Sequence, residues 1–234
     1  MKIFSATAPV FLRHRRSLLV IAVLCLLLIP PEPGASSSGA VRSGSVHQIR
    51  RGTLQRLTGN QWVFLRAGES VKYGERVRSS HDGVAVIAMP DQGEIVIGPG
   101  SDMTLARDEA GGEMKLERGA VWMQARLPAG RTMTVRSPVL VAGIRGTKFS
   151  VLSDSDGAAV CTCEGLVDVV LPDSRVLASK TAQFVPVESD GRAPRGAMSD
   201  RKLLRRVTGG RYDWCFTCHE VGGRGRLKRD WMED

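Results

Sequence analysis

From Thr53 to Val187 apolar and polar residues alternate in short bursts, and turn-forming residues separate the bursts. Segments rich in Val, Ile and Leu occur at 61–66, 83–89, 93–97, 119–126, 132–136, 147–152, 158–163, 166–171 and 174–178. Val84 and Val86 fall on one face, as do Val121 and Met123, and Phe149 and Val151. Period two is the signature of a half-buried strand, because successive side chains of an extended chain point to opposite faces. Asp82-Gly83, Pro99-Gly100, Gly111-Gly112 and Asp156-Gly157 supply turns at short intervals, and no stretch of helical period interrupts them. The pattern predicts an all-β body, a single elongated domain of many short strands, sandwich-like or β-solenoid-like.

Charge and composition narrow what this body does. The 234 residues are 42% hydrophobic and 24% charged, an ordinary balance for a globular chain. Aromatic residues are few (Phe 6, Trp 4, Tyr 2), so Val, Leu, Ile and Met must fill the core. The net charge of +9 splits into +3 on residues 1–40, +1 on 41–191 and +5 on 192–234. A neutral body lacks the basic face that nucleic acid requires. No paired carboxylates, Ser/His/Asp set or phosphate-cradling loop stands out, so no enzyme is expected.

The start of the chain predicts export. Arg13, His14, Arg15 and Arg16 precede an unbroken apolar run at 18–29, which Pro30 ends. Twelve residues fall short of the about 17–25 that a membrane-spanning helix needs, so residues 1–40 are expected to be a Sec-type signal peptide. Ser38-Gly39-Ala40 offers a cleavage site, with Ala35 as a second, and Cys25 lies within the apolar run. The expected organisation is a signal peptide at 1–40, a linker at 41–52, a β domain at 53–188 and a basic tail at 189–234. The expected location is the periplasm, with the inner membrane engaged only if the N-terminus stays uncleaved.

The body carries Gly59, Trp62, Leu65 and Gly68, then Gly74-Glu75-Arg76-Val77-Arg78-Ser79, then Gly83, Val86, Met89, Gly93, Ile95, Ile97, Pro99, Ser101 and Leu105. It continues with Leu116-Glu117-Arg118-Gly119-Ala120-Val121, Val135-Arg136-Ser137-Pro138, Gly143-Ile144-Arg145-Gly146-Thr147-Lys148-Phe149 and Glu164-Gly165-Leu166-Val167-Asp168-Val169. In order and spacing these blocks resemble the FecR family. The resemblance implies a periplasmic domain that, in that family, relays the occupancy of an outer-membrane receptor to a cytoplasmic sigma factor. Residues 1–17 are too short for the sigma-binding segment of such regulators. The expectation is therefore the sensor, binding or scaffold module without that output, and a protein partner in the cell envelope.

Cysteines give the tail its chemistry. Cys215-Phe216-Thr217-Cys218-His219 is the Cys-x-x-Cys-His arrangement of c-type haem attachment. Thiols at i and i+3 reach two vinyl groups on one side of a helical turn, and His219 lies under the iron as proximal ligand. Met198, Met232, His47 and His81 are candidates for the sixth position. Residues 198–207 are expected to form a short helix, which Ser199 or Asp200 can cap, with Leu203, Leu204 and Val207 on one side. Cys161 and Cys163 lie two apart in an expected strand, so their thiols share a face about 6.5–7 Å apart, near the limit for bridging each other. Three roles stay open for this pair: buried small hydrophobes, disulfide partners of Cys215 and Cys218, or ligands with them of a zinc ion. The protein as a whole is expected to be a non-catalytic module carrying haem c. The alternatives are a monohaem electron-transfer protein or a zinc-binding protein.

Overall fold

The many short strands expected from the pattern number sixteen among the described residues. The computed structural model describes residues 43–90, 92–105 and 112–199, and among these there is no helix. The all-β expectation holds: the strands form two layers that do not close on themselves. Layer A runs β4 (Ser70–Lys72), β1 (Ser43–Arg51), β6 (Val84–Met89), β7 (Gly93–Ile97), β9 (Glu113–Ala125), β12 (Lys148–Asp154), β13 (Gly157–Glu164) and β16 (Gln183–Glu188), each antiparallel to the next. Layer B runs β3 (Gln61–Leu65), β2 (Leu54–Thr58), β5 (Arg76–Ser79), β8 (Asp102–Thr104), β9 again, β10 (Met133–Arg136), β11 (Val141–Ile144), β14 (Leu166–Val170) and β15 (Val176–Lys180). Among the described pairings, β9 with β10 is the parallel one.

One strand therefore serves both layers, and its sequence explains how. Glu113 to Arg118 pair with β8 and β10 in layer B, while Gly119 to Ala125 pair with β7 and β12 in layer A. Met114 and Leu116 point into the core in the first half, and Val121, Met123 and Ala125 in the second. The change of parity is taken up at Glu117, where a bulge opposes β8, and at Gly119, whose φ is +93°. A side chain at that φ is strained, and a Cβ there would overlap the Cα and Oγ of Ser101. Ser101 is itself a buried junction. Its Oγ accepts from Ala120 N at 2.9 Å and lies 2.8 Å from Gly98 O, while its own N–H donates to Ser79 Oγ at 2.9 Å. Ser79 Oγ in turn donates to Gly98 O at 2.6 Å. The polar groups of this buried corner are hydrogen-bonded to one another, which is what their burial demands.

The main core lies between the layers. Ile87, Ile95, Val121, Phe149, Val151 and Val160 enter from layer A, and Leu54, Val77, Met103, Met114, Val135 and Val167 from layer B. The face assignments made from alternation hold for Val121 with Met123 and for Phe149 with Val151. Val84 and Val86 also share a face, but it is the other side of layer A.

Two expectations change. The stretch 41–52, expected as a linker, carries β1, which pairs with β4 and β6. Its polar sequence hides a strand held by backbone pairing, with Val46 alone as its large buried anchor. Met198, expected to open a helix, is extended instead: it forms an isolated bridge with Phe184, each N–H donating to the other's C=O at 2.8 Å.

Ion pairs sit on the rim. Arg136 binds Glu113 through Nε at 2.8 Å and a second nitrogen at 2.7 Å. That hydrogen bond, helped by the charge of Arg136, holds the Glu113 carboxyl below its usual range. A depressed carboxylate adds stability that is present above the ordinary glutamate value and lost as pH falls through the folded one. The pair is partly solvated, so it is worth about 0.2–1 kcal/mol. Between about pH 6 and pH 3 the native protein should lose that much more stability than a Glu113→Gln variant, read from urea unfolding at both values.

Candidate functional site

The two body cysteines lie on β13, on the face of layer A turned away from the main core. Cys161 stands opposite Ser150 of β12 and Phe184 of β16. Cys163 is the extra residue of a bulge, since Lys148 pairs with Glu164 and Phe149 with Thr162. Both thiols are buried, as expected of the same face, but they sit in different apolar groups. Cys161 packs with Ala120, Leu152, Ala159 and Phe184, and Met198 joins them from the side. Cys163 packs with Val84, Val86, Val96 and Trp122. Among the described residues no group of three or more His, Cys, Asp or Glu could hold a metal ion.

The remaining expected ligands do not converge on these cysteines. His47 is exposed on β1, and His81 is exposed in the turn before β6, with Asp82 at 3.9 Å. Met198 reaches the Cys161 group across Phe184. Cys215, Cys218, His219 and Met232 lie outside the described residues, as do residues 1–40, expected as a signal peptide, and residues 200–207, expected to continue a helix.

A second cluster was not anticipated. The β2–β3 hairpin places Trp62 and Phe64 on the outer face of layer B, and β5 places Arg76 and Arg78 beside them. The Arg78 guanidinium lies 4.1 Å from the centre of the Trp62 ring, and that of Arg76 lies 5.8 Å away. Arg78 Nε donates to Gln55 Oε1 at 2.7 Å, which fixes it over the ring. Arg76 is clamped by both oxygens of Asp102, at 2.7 and 2.8 Å. Phe64 stays 61% exposed, which is unusual for so large an apolar group on an edge strand. The result is a cation–aromatic platform at an open sheet edge, suited to a planar, acidic or extended-peptide contact. Its sequence signal was the pair of alternations Trp62-x-Phe64 and Arg76-x-Arg78, whose meeting depends on pairing through β2.

The matched residues begin at the strand that carries those arginines. Residues 75–168 match the FecR protein family. The FecR segment is less than half of the chain and runs from just before β5 into β14. It holds the shared strand β9, the Ser101–Gly119 corner and both body cysteines, whereas the Gly59–Trp62–Leu65–Gly68 block precedes it. The chain is also similar to two crystal structures, at 2.50 and 1.65 Å, of a candidate anti-sigma factor from Parabacteroides distasonis. Identity is 18% to each, with a TM-score of 0.48, over 57% of this chain and 64% and 65% of theirs. The matched part thus spans just under two thirds of those proteins. No curated protein matches the chain.

Proposed function

We propose that this protein is a non-catalytic, FecR-type sensor or scaffold module of the cell envelope that binds a protein partner, and that its tail carries one covalently attached haem. The FecR segment at residues 75–168 is the observation that carries the first half. The platform of Trp62, on the edge strand β3, and Arg78, on β5 within that segment, supports a protein as the ligand. The haem rests on the spacing of Cys215, Cys218 and His219 and on the export signal, since attachment takes place outside the cytoplasm. Haem would supply a redox-active iron; the chain would supply two thioether anchors and one axial imidazole.

Both halves are tested on protein exported from a host that matures c-type cytochromes. Its intact mass should exceed that of the processed chain by one haem, and its colour should persist in denaturant. Cys215→Ala with Cys218→Ala should remove the colour, while Cys161→Ala should keep it. A colourless product with bound zinc, released by changing Cys161 or Cys163, would replace haem by a four-cysteine metal site. For the binding half, a photo-cross-linking residue at position 64 should give an envelope-protein adduct in cells that Arg78→Glu abolishes. No adduct, or an unaffected one, would remove the platform from the proposal.

A further inference from the structure

An open sheet edge is a row of unpaired backbone groups, and folded chains blunt it with shortness, charge, proline or a cover. Among the described strands four lie at an edge, and three of them are blunted. β4 has three residues and ends in Lys72. β16 contains Pro186 and is bridged by Met198, and β15 ends in Lys180 and packs against β13 and β16. β3 has none of these devices. Its sequence Gln61-Trp62-Val63-Phe64-Leu65 carries no charge and no proline, and among the described strands it pairs with β2 alone. Val63 and Phe64 are 42% and 61% exposed.

The hairpin decides which backbone groups of β3 are free. Gly59 and Asn60 form a two-residue turn, with Gly59 in its first position at a φ of +59°. Such a turn closes on a hydrogen-bonded pair, here Thr58 with Gln61. Bonded and non-bonded pairs alternate along an antiparallel ladder. Gln61, Val63 and Leu65 therefore direct their N–H and C=O groups to β2, while Trp62 and Phe64 turn theirs to the open side. We infer that a second copy of this chain pairs with β3 there, antiparallel and about a two-fold axis at Val63. In that register Trp62 exchanges two hydrogen bonds with Phe64 of the second copy, and Phe64 does the same with Trp62 of that copy. All four outward groups are satisfied. The opposed aromatic side chains share the outer face, a favourable cross-strand pair, and the two Val63 side chains meet on the other face. A register centred on Trp62 instead sets Phe64 against Asn60 of the turn, and one centred on Phe64 sets Trp62 against Arg66 beyond the strand. The uncharged β3 brings no like charges together, and Asp102 already pairs with nearby Arg76. The two-fold leaves no β3 edge vacant, so growth through it stops at two copies. Five residues a side bury less than the about 1,200–2,000 Å² of a standard interface, so the dimer is weak and reversible. The face that holds Trp62 and Arg78 stays outward and is doubled, so this pairing goes beyond the partner proposed above and does not depend on it.

The test follows processed full-length protein by sedimentation velocity from micromolar to submillimolar concentration. Its mass should rise reversibly from one chain to two. Val63→Lys sets like charges directly opposite each other and should weaken association about tenfold or more while the β-type far-ultraviolet spectrum persists. Val176→Lys, at an exposed apolar position on the β15 edge, should leave association unchanged. A single chain at every concentration would overturn the inference. So would a dimer that survives Val63→Lys or one that Val176→Lys abolishes. Should Val63→Lys fail to fold, Val63→Cys decides. Oxidation should join two copies of the tryptic peptide 57–66, because non-bonded partners on an antiparallel pair lie within disulfide reach. Phe64→Cys, which faces Trp62 of the second copy, should not link. Linkage through another peptide, or equal linkage at both positions, rejects the pairing. The envelope partner is read separately by the cross-link at position 64, so either reading can fail alone.

Discussion

Gly119→Ala should destabilise the protein by about 2–5 kcal/mol, a drop in Tm of about 5–15 °C for a domain this size. Three contributions combine. A β-carbon at a φ of +93° costs about 1–2 kcal/mol in backbone strain. Overlap with the Ser101 Cα adds about 1–3 kcal/mol, because the obstacle is backbone and cannot rotate away. Moving Ser101 then loosens its buried hydrogen bonds to Ala120 and Ser79. Gly130 provides the control. Its φ is +77° but open space surrounds it, so Gly130→Ala should cost only the strain, about 1 kcal/mol. Urea unfolding of both variants checks the pair; equal losses would show that the corner where β9 changes layers is not tightly packed.

Phe149→Ala should cost about 3–5 kcal/mol. The ring is fully buried on β12, between β9 and β13 in the middle of layer A, and faces the side chains of layer B. Its removal leaves a cavity that flanking strands cannot close, because both are fixed by ladder hydrogen bonds. Phe64→Ala, on the open edge, should change stability by less than about 0.5 kcal/mol. Comparable losses at the two positions would mean that the main core does not lie between the layers.

Legibility followed the physics of each element. β7 was read to the residue, and β6, β12 and β13 to within one or two, because side chains there alternate and Gly or Asp marks the ends. β4, β5 and β8 are three or four residues long, too short for a period to register. The first half of β9 was concealed by Glu113, Lys115, Glu117 and Arg118, whose charges face outward while Met114 and Leu116 carry the burial. β1 escaped because it is held through its backbone. At the candidate site, local spacing was enough to place Cys161 and Cys163 on one face. It could not show that this face is a buried, apolar surface, since that depends on Val96, Trp122 and Phe184 arriving from three other strands. The Trp62 platform was hidden for the same reason.

The double membership of β9 also dictates an order of assembly. Its partners β7 and β8 precede it in the chain, but β10 and β12 follow, and β12 ends only at Asp154. A chain delivered N-terminus first therefore presents β9 with one vacant flank in each layer until two later strands emerge. Completion of each layer therefore waits for strands that follow β9 in the chain. Pairings this distant in sequence form slowly, in milliseconds to seconds, and during that interval the open flanks of β9 are the places where a holding chaperone would bind or a neighbouring chain would misassemble.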